Sequence, residues 1–336
     1  MKTKGNIDIS IALLRPLLCL GVVCCHFWSS APSYAWHFVL PCCAPLFFLI
    51  SFYLFAERYT CVDGLLVRKR FFRLYFPMVF WALFYYLVIN LSHLLIKTES
   101  VVSLKALFIQ SITGHCYDEP MWFQFDLIVV TLLFFFFAVV CRNKLRIILW
   151  FFAGFTLFAF CLQYTGLNHR VFSPLDYSFR YPLGRICEML PYAFAGMSLS
   201  FADKMKKWGR AFIVVSMFLA SYVLYIFHDN PPGFGYQGIR FLLLSVAFFL
   251  GIKLLDFNWI PNGIKKVILT LSNYTLGIYC AHLLIEKGLR HLFSHISWES
   301  LCGSLLYCII IYICCFFLFF FIDKLIRNKY LKMAFQ

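Results

Sequence analysis

The sequence predicts an all-α polytopic membrane protein with about ten transmembrane helices, and three observations lead to that fold class. Of its 336 residues, 62% are hydrophobic and only 13% are charged, with a mean hydropathy of +0.80. The apolar residues form long continuous runs of bilayer-spanning length, without the alternation of an outer-membrane barrel strand. The basic residues are divided unevenly between the segments that join these runs. We therefore expect one transmembrane domain over residues 1–336, with no fused soluble domain.

Hydropathy along the chain places the ten predicted spans in order. They cover approximately residues 9–28, 38–56, 74–95, 121–141, 146–163, 183–201, 211–228, 238–255, 267–285 and 301–322. The two longest connecting loops, about 96–120 and 164–182, are too short to fold alone and are expected to cover the outer face.

The distribution of Lys and Arg predicts that both termini lie in the cytoplasm. With an inside N-terminus, 21 of the 30 basic residues fall on cytoplasmic segments and 6 on outer segments, while Arg15, Arg185 and Arg240 lie within or at the edge of spans. This excess is the asymmetry expected of inner loops in membrane proteins. The formal charge of +15 therefore reflects topology, and no nucleic-acid partner is expected.

The sequence also shows no motif of a metal-binding or nucleotide-binding protein. Most of the 15 Cys lie within apolar runs, and no zinc-type Cys spacing, P-loop or dinucleotide glycine fingerprint is present. We expect no metal cofactor, and the cysteines are interpreted as small apolar residues.

The first span contains the strongest functional signal. Arg15 and His26 are eleven residues apart, which at about 100° per residue returns to one helix face and separates the two by roughly 16 Å in depth. A cation inside a bilayer costs at least about 2.5–3.5 kcal/mol on insertion scales, so it usually faces a partner or a water-filled cavity. The pair predicts a site that reaches through the membrane.

A second signal is the basic cluster at the cytoplasmic start of the third span, formed by Arg68, Lys69, Arg70 and Arg73. Arg70 and Arg73 share a helix face at i, i+3, and forked guanidinium groups suit phosphate. An ordinary positive-inside anchor is the alternative.

Further polar residues within the spans are candidates for a cavity lining. Arg185 and Glu188, three apart, form either part of a site or an ion pair that neutralises itself. Tyr279 and His282 share a face, as do His282 and Glu286, and helix-to-helix hydrogen bonding is the alternative. Trp122 enters the fourth span, where it is either a site residue or part of an aromatic belt.

Taken in chain order, these motifs make the chain resemble the acyltransferase-3 family of bacterial membrane acyltransferases. The resemblance rests on Arg15 and His26 with ten residues between them, on Lys69-Arg70-Phe71-Phe72-Arg73, and on weaker likenesses at three places. These are the segments 45–54, Trp122-Phe123, and 275–279 followed by His282. The similarity covers about residues 7–322.

The resemblance implies ten spans and transfer of an acyl group, usually acetyl, from a cytoplasmic thioester to a hydroxyl outside the membrane. It also implies acetyl-CoA as donor substrate, a glycan or lipid-linked sugar as acceptor, and residence among the lipids of the bacterial cytoplasmic (inner) membrane, with polysaccharide-assembly proteins as further partners. This chain departs from the family at Pro16 and Phe52, and Asp8 lies too far before Arg15 to be included in the site.

The expected mechanism assigns a role to the main motif residues of this chain. Arg68, Lys69, Arg70 and Arg73 are expected to bind the donor phosphates, and His26 to act as general base for the acceptor hydroxyl. Arg15 assists at a phosphate, at the thioester oxygen or in orienting His26; the sequence leaves these three roles open.

Two rival functions stay open at the level of sequence. The first is a transporter of a lipid-linked sugar or small anion, with Arg15 as counter-ion. The second is a non-catalytic partner in an envelope polysaccharide complex, in which Arg15 and His26 only pair helices.

Overall fold

A computed structural model describes residues 8–59, 64–96, 103–105, 107–108, 121–165, 177–202, 205–227, 238–292 and 302–336. These parts of the chain are helical and contain no β-strand. The helices are α1 (Ile9–Phe27), α2 (Cys43–Arg58), α3 (Gly64–Ile96), α4 (Trp122–Val140), α5 (Leu145–Tyr164), α6 (Tyr177–Ala202), α7 (Lys207–Ile226), α8 (Ile239–Leu254), α9 (Asn262–Asn273), α10 (Thr275–Leu292), α11 (Leu305–Leu325) and α12 (Lys329–Lys332). A π-helical turn, Ala35–Val39, and a 3₁₀ turn, Leu40–Cys42, lead into α2.

Every predicted span falls on helix, which confirms the all-α class, but not every helix is clearly a membrane span. Seven helical segments in the described residues are long and apolar enough to cross a bilayer, and the bent pair α9–α10 would make an eighth. Of the others, α8 has only 16 residues, or about 24 Å, and α6 carries Arg185, Glu188 and two prolines. The count of ten and the cytoplasmic placement of both termini stay predictions.

The predicted ninth span, 267–285, is not one straight helix. Helices α9 and α10 meet at Tyr274 with a bend of 61°. Thr275 Oγ1 donates a hydrogen bond to the Ser272 carbonyl at 2.9 Å. At the bend, a side-chain hydroxyl therefore serves a backbone carbonyl group of α9. The break therefore turns side chains of this segment toward α1.

The third helix begins earlier than predicted. Helix α3 starts at Gly64 and includes the whole basic cluster, whereas the apolar run alone placed its start at residue 74. The i, i+3 relation between Arg70 and Arg73 is therefore realised on a continuous helix. Similarly, α6 starts at Tyr177, inside the loop predicted over 164–182; the rest of that loop and most of the one over 96–120 lie outside the described residues.

Helix α1 is central, since it packs against α2, α8, α9, α10 and α11. Beside it, α2 and α6 approach so closely that a Cβ on Gly196 would collide with the backbone oxygen of Leu49. Small residues allow such contacts between membrane helices, where dispersion forces and packing supply the attraction. The helices that surround α1 thus hold its polar face in a fixed environment.

The C-terminal segment folds back against the bundle. Trp81 Nε1 donates a hydrogen bond to the Ala334 carbonyl at 2.7 Å, and the backbone amide of Gly277 donates to the Phe335 carbonyl at 3.2 Å. Phe335 is buried against Phe319 of α11. The basic tail therefore braces the start of α10, a contact that no hydropathy pattern indicates.

Candidate active site

The site lies between α1 and α10, at two levels. Arg15 Nη2 donates to Thr275 Oγ1 at 3.1 Å and Arg15 Nη1 to Ser272 Oγ at 3.4 Å. Eleven residues further along α1, the imidazole of His26 contacts that of His282. The structure thus places Arg15 and His26 on one face of α1, as the spacing predicts, and it shows that this face meets α10. Arg15 precedes His26 on α1, and their respective partners Thr275 and His282 follow the same order on α10. The two helices therefore run in the same direction.

At the upper level, the two imidazoles differ in access. Their ring centroids are 5.1 Å apart with planes inclined by 46°. His26 is exposed, whereas His282 is completely buried. Phe27 covers His282 with an edge contact at 6.1 Å. His26 is therefore the accessible member of the pair, and His282 lies behind it.

His282 is held by its own helix. Its Nδ1 lies 2.7 Å from the Tyr279 carbonyl oxygen, and its Nε2 is buried with no hydrogen-bond partner among the described residues. Tyr279 itself forms an aromatic wall with Phe47 and Phe123, at centroid distances of 6.4 and 5.6 Å. The predicted cavity-lining residues Tyr279 and His282 are thus brought together with His26.

At the lower level, Arg15 and Arg73 form a cationic region. The guanidinium charges of these two residues lie near enough to repel one another, and Arg73 is exposed. Ser272 and Thr275 accept hydrogen bonds from Arg15 through neutral hydroxyl groups. These hydroxyl groups do not neutralise the positive charge of Arg15. Two cations whose charges act on one another favour the binding of an anion nearby.

The other members of the basic cluster are placed differently. Arg70 turns to α2, where its Nη2 donates to Ser51 Oγ at 2.6 Å and its guanidinium stacks 5.3 Å from the Phe55 ring. Arg68 and Lys69 are exposed. The structure therefore separates Arg70, which joins α2 to α3, from the exposed Arg73, whose charge acts on Arg15, a distinction that the sequence does not make.

Arg185 pairs with Asp126, a partner that the sequence interpretation did not include. Arg185 Nε and Nη2 donate to the two carboxylate oxygens of Asp126 at 3.1 Å each, and both side chains are buried. Trp122 stacks 5.3 Å from the Arg185 guanidinium. Asp126 lies one helical turn after Trp122, so the fourth span presents both to α6.

Glu188 occupies another place. It is buried beside a small interior space between α5, α6 and α8, with Gln163, Tyr192 and Gly238 among the lining residues. Trp122 is linked to the His26 region through Phe123, since Trp122 contacts Phe123 and Phe123 contacts Tyr279. Of the predicted cavity residues, His282 contacts His26 and Tyr279 contacts His282.

Sequence reasoning missed two polar residues that the structure shows as important. Asp126 is an acid within the fourth span, and that position alone predicts a buried partner. Tyr307 donates its hydroxyl to Glu286 Oε1 at 3.0 Å, and Phe27 stacks edge-on against its ring at 6.3 Å. No spacing rule connects Tyr307 to Glu286, because the two lie on different helices.

Comparison with known proteins agrees with this architecture. The sequence profile described as an acyltransferase domain, that of the acyltransferase-3 family, matches residues 8–320, nearly the whole chain. No curated protein and no solved structure matches this chain significantly. The match and the apolar helices together show that the chain belongs to the acyltransferase-3 family and is a multi-pass membrane acyltransferase.

Proposed function

We propose that this protein transfers an acyl group, most simply acetyl, from a cytoplasmic acyl-CoA to a hydroxyl group of an extracytoplasmic or lipid-linked glycan, in the bacterial inner membrane. The observation that carries the proposal is the placement of Arg15 and His26 on one face of α1, with His26 exposed and Arg15 beside Arg73. A region suited to binding an anion, at Arg15, and a proton acceptor, His26, therefore lie one above the other along α1.

The donor binds through its charge. Phosphate groups of acyl-CoA lie at the cytoplasmic rim, where Arg73 meets them and the exposed Arg68 and Lys69 add attraction. Arg70 supports this binding by holding α3 against α2. The pantetheine arm then extends past Arg15 toward His26, a depth of about 16 Å along α1.

The chemistry takes place at His26. His26 accepts the proton of the acceptor hydroxyl as its oxygen attacks the thioester carbon. The new C–O bond forms, the C–S bond breaks, and the departing thiolate takes the proton back from His26. An imidazole suits both halves of this exchange, because its ordinary pKa lies near the working pH. Proton transfer of this kind commonly contributes about 10²–10⁴-fold.

The test follows thioester consumption in lipid nanodiscs. Acetyl-CoA should stabilise wild type and His26→Ala against thermal unfolding, whereas CoA release with a native envelope extract should occur only in wild type. His291→Ala removes another exposed histidine of the α10 end and should retain turnover. Folded wild type with neither shift nor turnover would contradict the proposal.

The two rivals predict different results. A transporter reconstituted in sealed vesicles moves a labelled sugar or anion across the membrane without consuming thioester. A non-catalytic partner tolerates replacement of both Arg15 and His26 by hydrophobic residues without loss of function in cells.

A further inference from the structure

The unused hydrogen-bonding capacity of His282 indicates a further residue of the reaction. Its Nδ1 lies 2.7 Å from a backbone carbonyl oxygen, that of Tyr279. Since a carbonyl oxygen only accepts, Nδ1 carries the hydrogen, and in a neutral imidazole the other nitrogen is then an unprotonated acceptor. The helix itself therefore fixes the tautomer of His282 and leaves a lone pair on Nε2.

That lone pair has no partner in the described residues, although the side chain is completely buried. A buried polar atom without a hydrogen bond costs about 1–3 kcal/mol, so such atoms are rare and often mark a site that is completed during function. The neighbouring group that can donate to it is the imidazole of His26.

The distance between the rings fits such a bond. The centroids of His26 and His282 are 5.1 Å apart, and an N–H···N bond of about 2.9 Å places two imidazole centroids roughly 5 Å apart. His26 is the exposed member of the pair, so its ring has room to turn while the ring of His282 is held by Tyr279 and covered by Phe27.

We propose that His282 is a positioning residue for the reaction, whose Nε2 accepts a hydrogen bond from one ring nitrogen of His26 and thereby directs the other, unprotonated nitrogen toward the acceptor hydroxyl. When His26 has taken the hydroxyl proton, the same bond stabilises the imidazolium until the thiolate leaves. No proton passes to His282 in this scheme. The effect of His282 on catalysis rests on the proposed function. The hydrogen bond between the two imidazole rings does not.

Other titratable side chains surround the pair and do not provide this acceptor. Glu286, one turn after His282, already accepts from Tyr307 and Arg290. On the facing helices, Cys24 of α1 and Cys308 of α11 contact each other. Among the described groups, Nε2 of His282 is thus the one next to His26 with an open lone pair.

The decisive comparison is between His282→Phe and His282→Gln in nanodiscs. Phenylalanine keeps the ring shape and removes the acceptor, whereas glutamine keeps a donor and an acceptor. Should His282→Phe not fold, His282→Met takes its place, since methionine fills irregular space and accepts hydrogen bonds only weakly. Tyr312→Phe is the matched control. It also removes a buried polar atom that has no partner among the described residues, but on a different helix, α11.

The first readout is the pH dependence of His26 labelling by diethyl pyrocarbonate, quantified by mass spectrometry. Loss of an acceptor destabilises the imidazolium form of His26, so the labelling midpoint should move to lower pH in His282→Phe and stay near wild type in His282→Gln and Tyr312→Phe. Equal midpoints in wild type and His282→Phe would overturn the inference, as would an equal shift in His282→Gln.

The second readout is turnover. His282→Phe should lower kcat at least tenfold with the KM for acetyl-CoA unchanged, and His282→Gln should recover most of that loss. A wild-type kcat in His282→Phe overturns the positioning role. If wild type consumes no thioester, the proposed function fails by itself, and the labelling midpoints still decide whether His282 acts on His26.

Discussion

Arg15 and Thr275 join the first helix to the break between α9 and α10 through a hydrogen bond of 3.1 Å. Thr275 Oγ1 at the same time donates to the Ser272 carbonyl at 2.9 Å. One hydroxyl therefore stabilises the bend and holds the guanidinium of Arg15 in place. The orientation of the deepest cation of the site depends in this way on a change of helix direction in a distant part of the chain.

Thr275→Val should weaken donor binding because it removes the nearer of the two acceptors of Arg15 with little change in side-chain shape. A hydrogen bond to a charged group contributes about 1.5–3 kcal/mol, so we expect a lower melting temperature and at least threefold weaker acetyl-CoA binding. Thr275→Ser should stay close to wild type. Thr270→Val is the control, since Thr270 bonds only to its own helix; a Thr275→Val variant that binds donor like this control would refute the role.

Arg73→Gln and Arg70→Gln should have different effects, although the sequence motif treats these residues alike. Arg73 is exposed and its charge acts on Arg15, so its loss should weaken acetyl-CoA binding at least tenfold and change thermal stability less than the loss of Arg70 does. Arg70 joins α3 to Ser51 and Phe55, so its loss should lower the melting temperature as well. Lys266→Gln, an exposed cation of α9, should leave both quantities unchanged. The measurement is donor affinity together with thermal unfolding, and identical behaviour of the two arginine variants would argue against the assignment.

Asp126→Asn should destabilise the protein strongly. Removing one partner leaves the buried Arg185 guanidinium without its counter-ion, which typically costs about 3–5 kcal/mol. The double variant Asp126→Leu, Arg185→Met removes both charges and should recover much of that loss. The free energy of unfolding in detergent is measured for wild type and both variants. A double variant less stable than Asp126→Asn would show that the ion pair itself is favourable.

Asp8 should contribute stability in a pH-dependent way. Burial alone raises the pKa of this carboxyl, but Lys253 and the Ser10 amide outweigh burial and hold the pKa below its ordinary 3.8. A carboxyl with a lowered folded pKa stabilises the protein above its unfolded pKa, and the contribution disappears as the pH falls through the folded value. Asp8→Asn keeps a good N-cap and should cost about 0.5–1 kcal/mol at pH 7, with a smaller deficit below pH 4; Asp8→Ala should cost more. A deficit independent of pH would contradict the ion-pair origin.

Gly196→Ala should disrupt the contact between α2 and α6. A Cβ at this position collides with the backbone of Leu49, and a backbone atom cannot move aside as a side chain can. Gly154→Ala is the matched control, since nothing lies within 4 Å of a Cβ there and alanine favours the helix by up to about 1 kcal/mol. The two melting temperatures should move in opposite directions; equal stability of the Gly196→Ala variant would mean that the helices separate without cost.

Several site features could be predicted from local sequence, and several could not. The eleven-residue spacing predicts that Arg15 and His26 share a face, because a helix repeats its geometry independently of its neighbours. The same spacing rule left Arg185 and Glu188, three residues apart, either as part of a site or as an ion pair. It could not indicate Asp126, which lies on another helix and offers both carboxylate oxygens to the guanidinium fork of Arg185.

The sequence by itself determined that this chain is an all-α membrane protein, which helix faces carry its ionisable residues, and which family its motifs resemble. Those properties follow from hydropathy and from the helical repeat, both of which are local. Only the tertiary structure decided that α9 and α10 break at Tyr274, that His282 lies behind His26, and that Arg70 turns to Ser51 while Arg73 stays exposed. These relations join residues that are far apart in the chain, and they depend on which helices pack together and at what depth, information that no periodicity within a single helix contains.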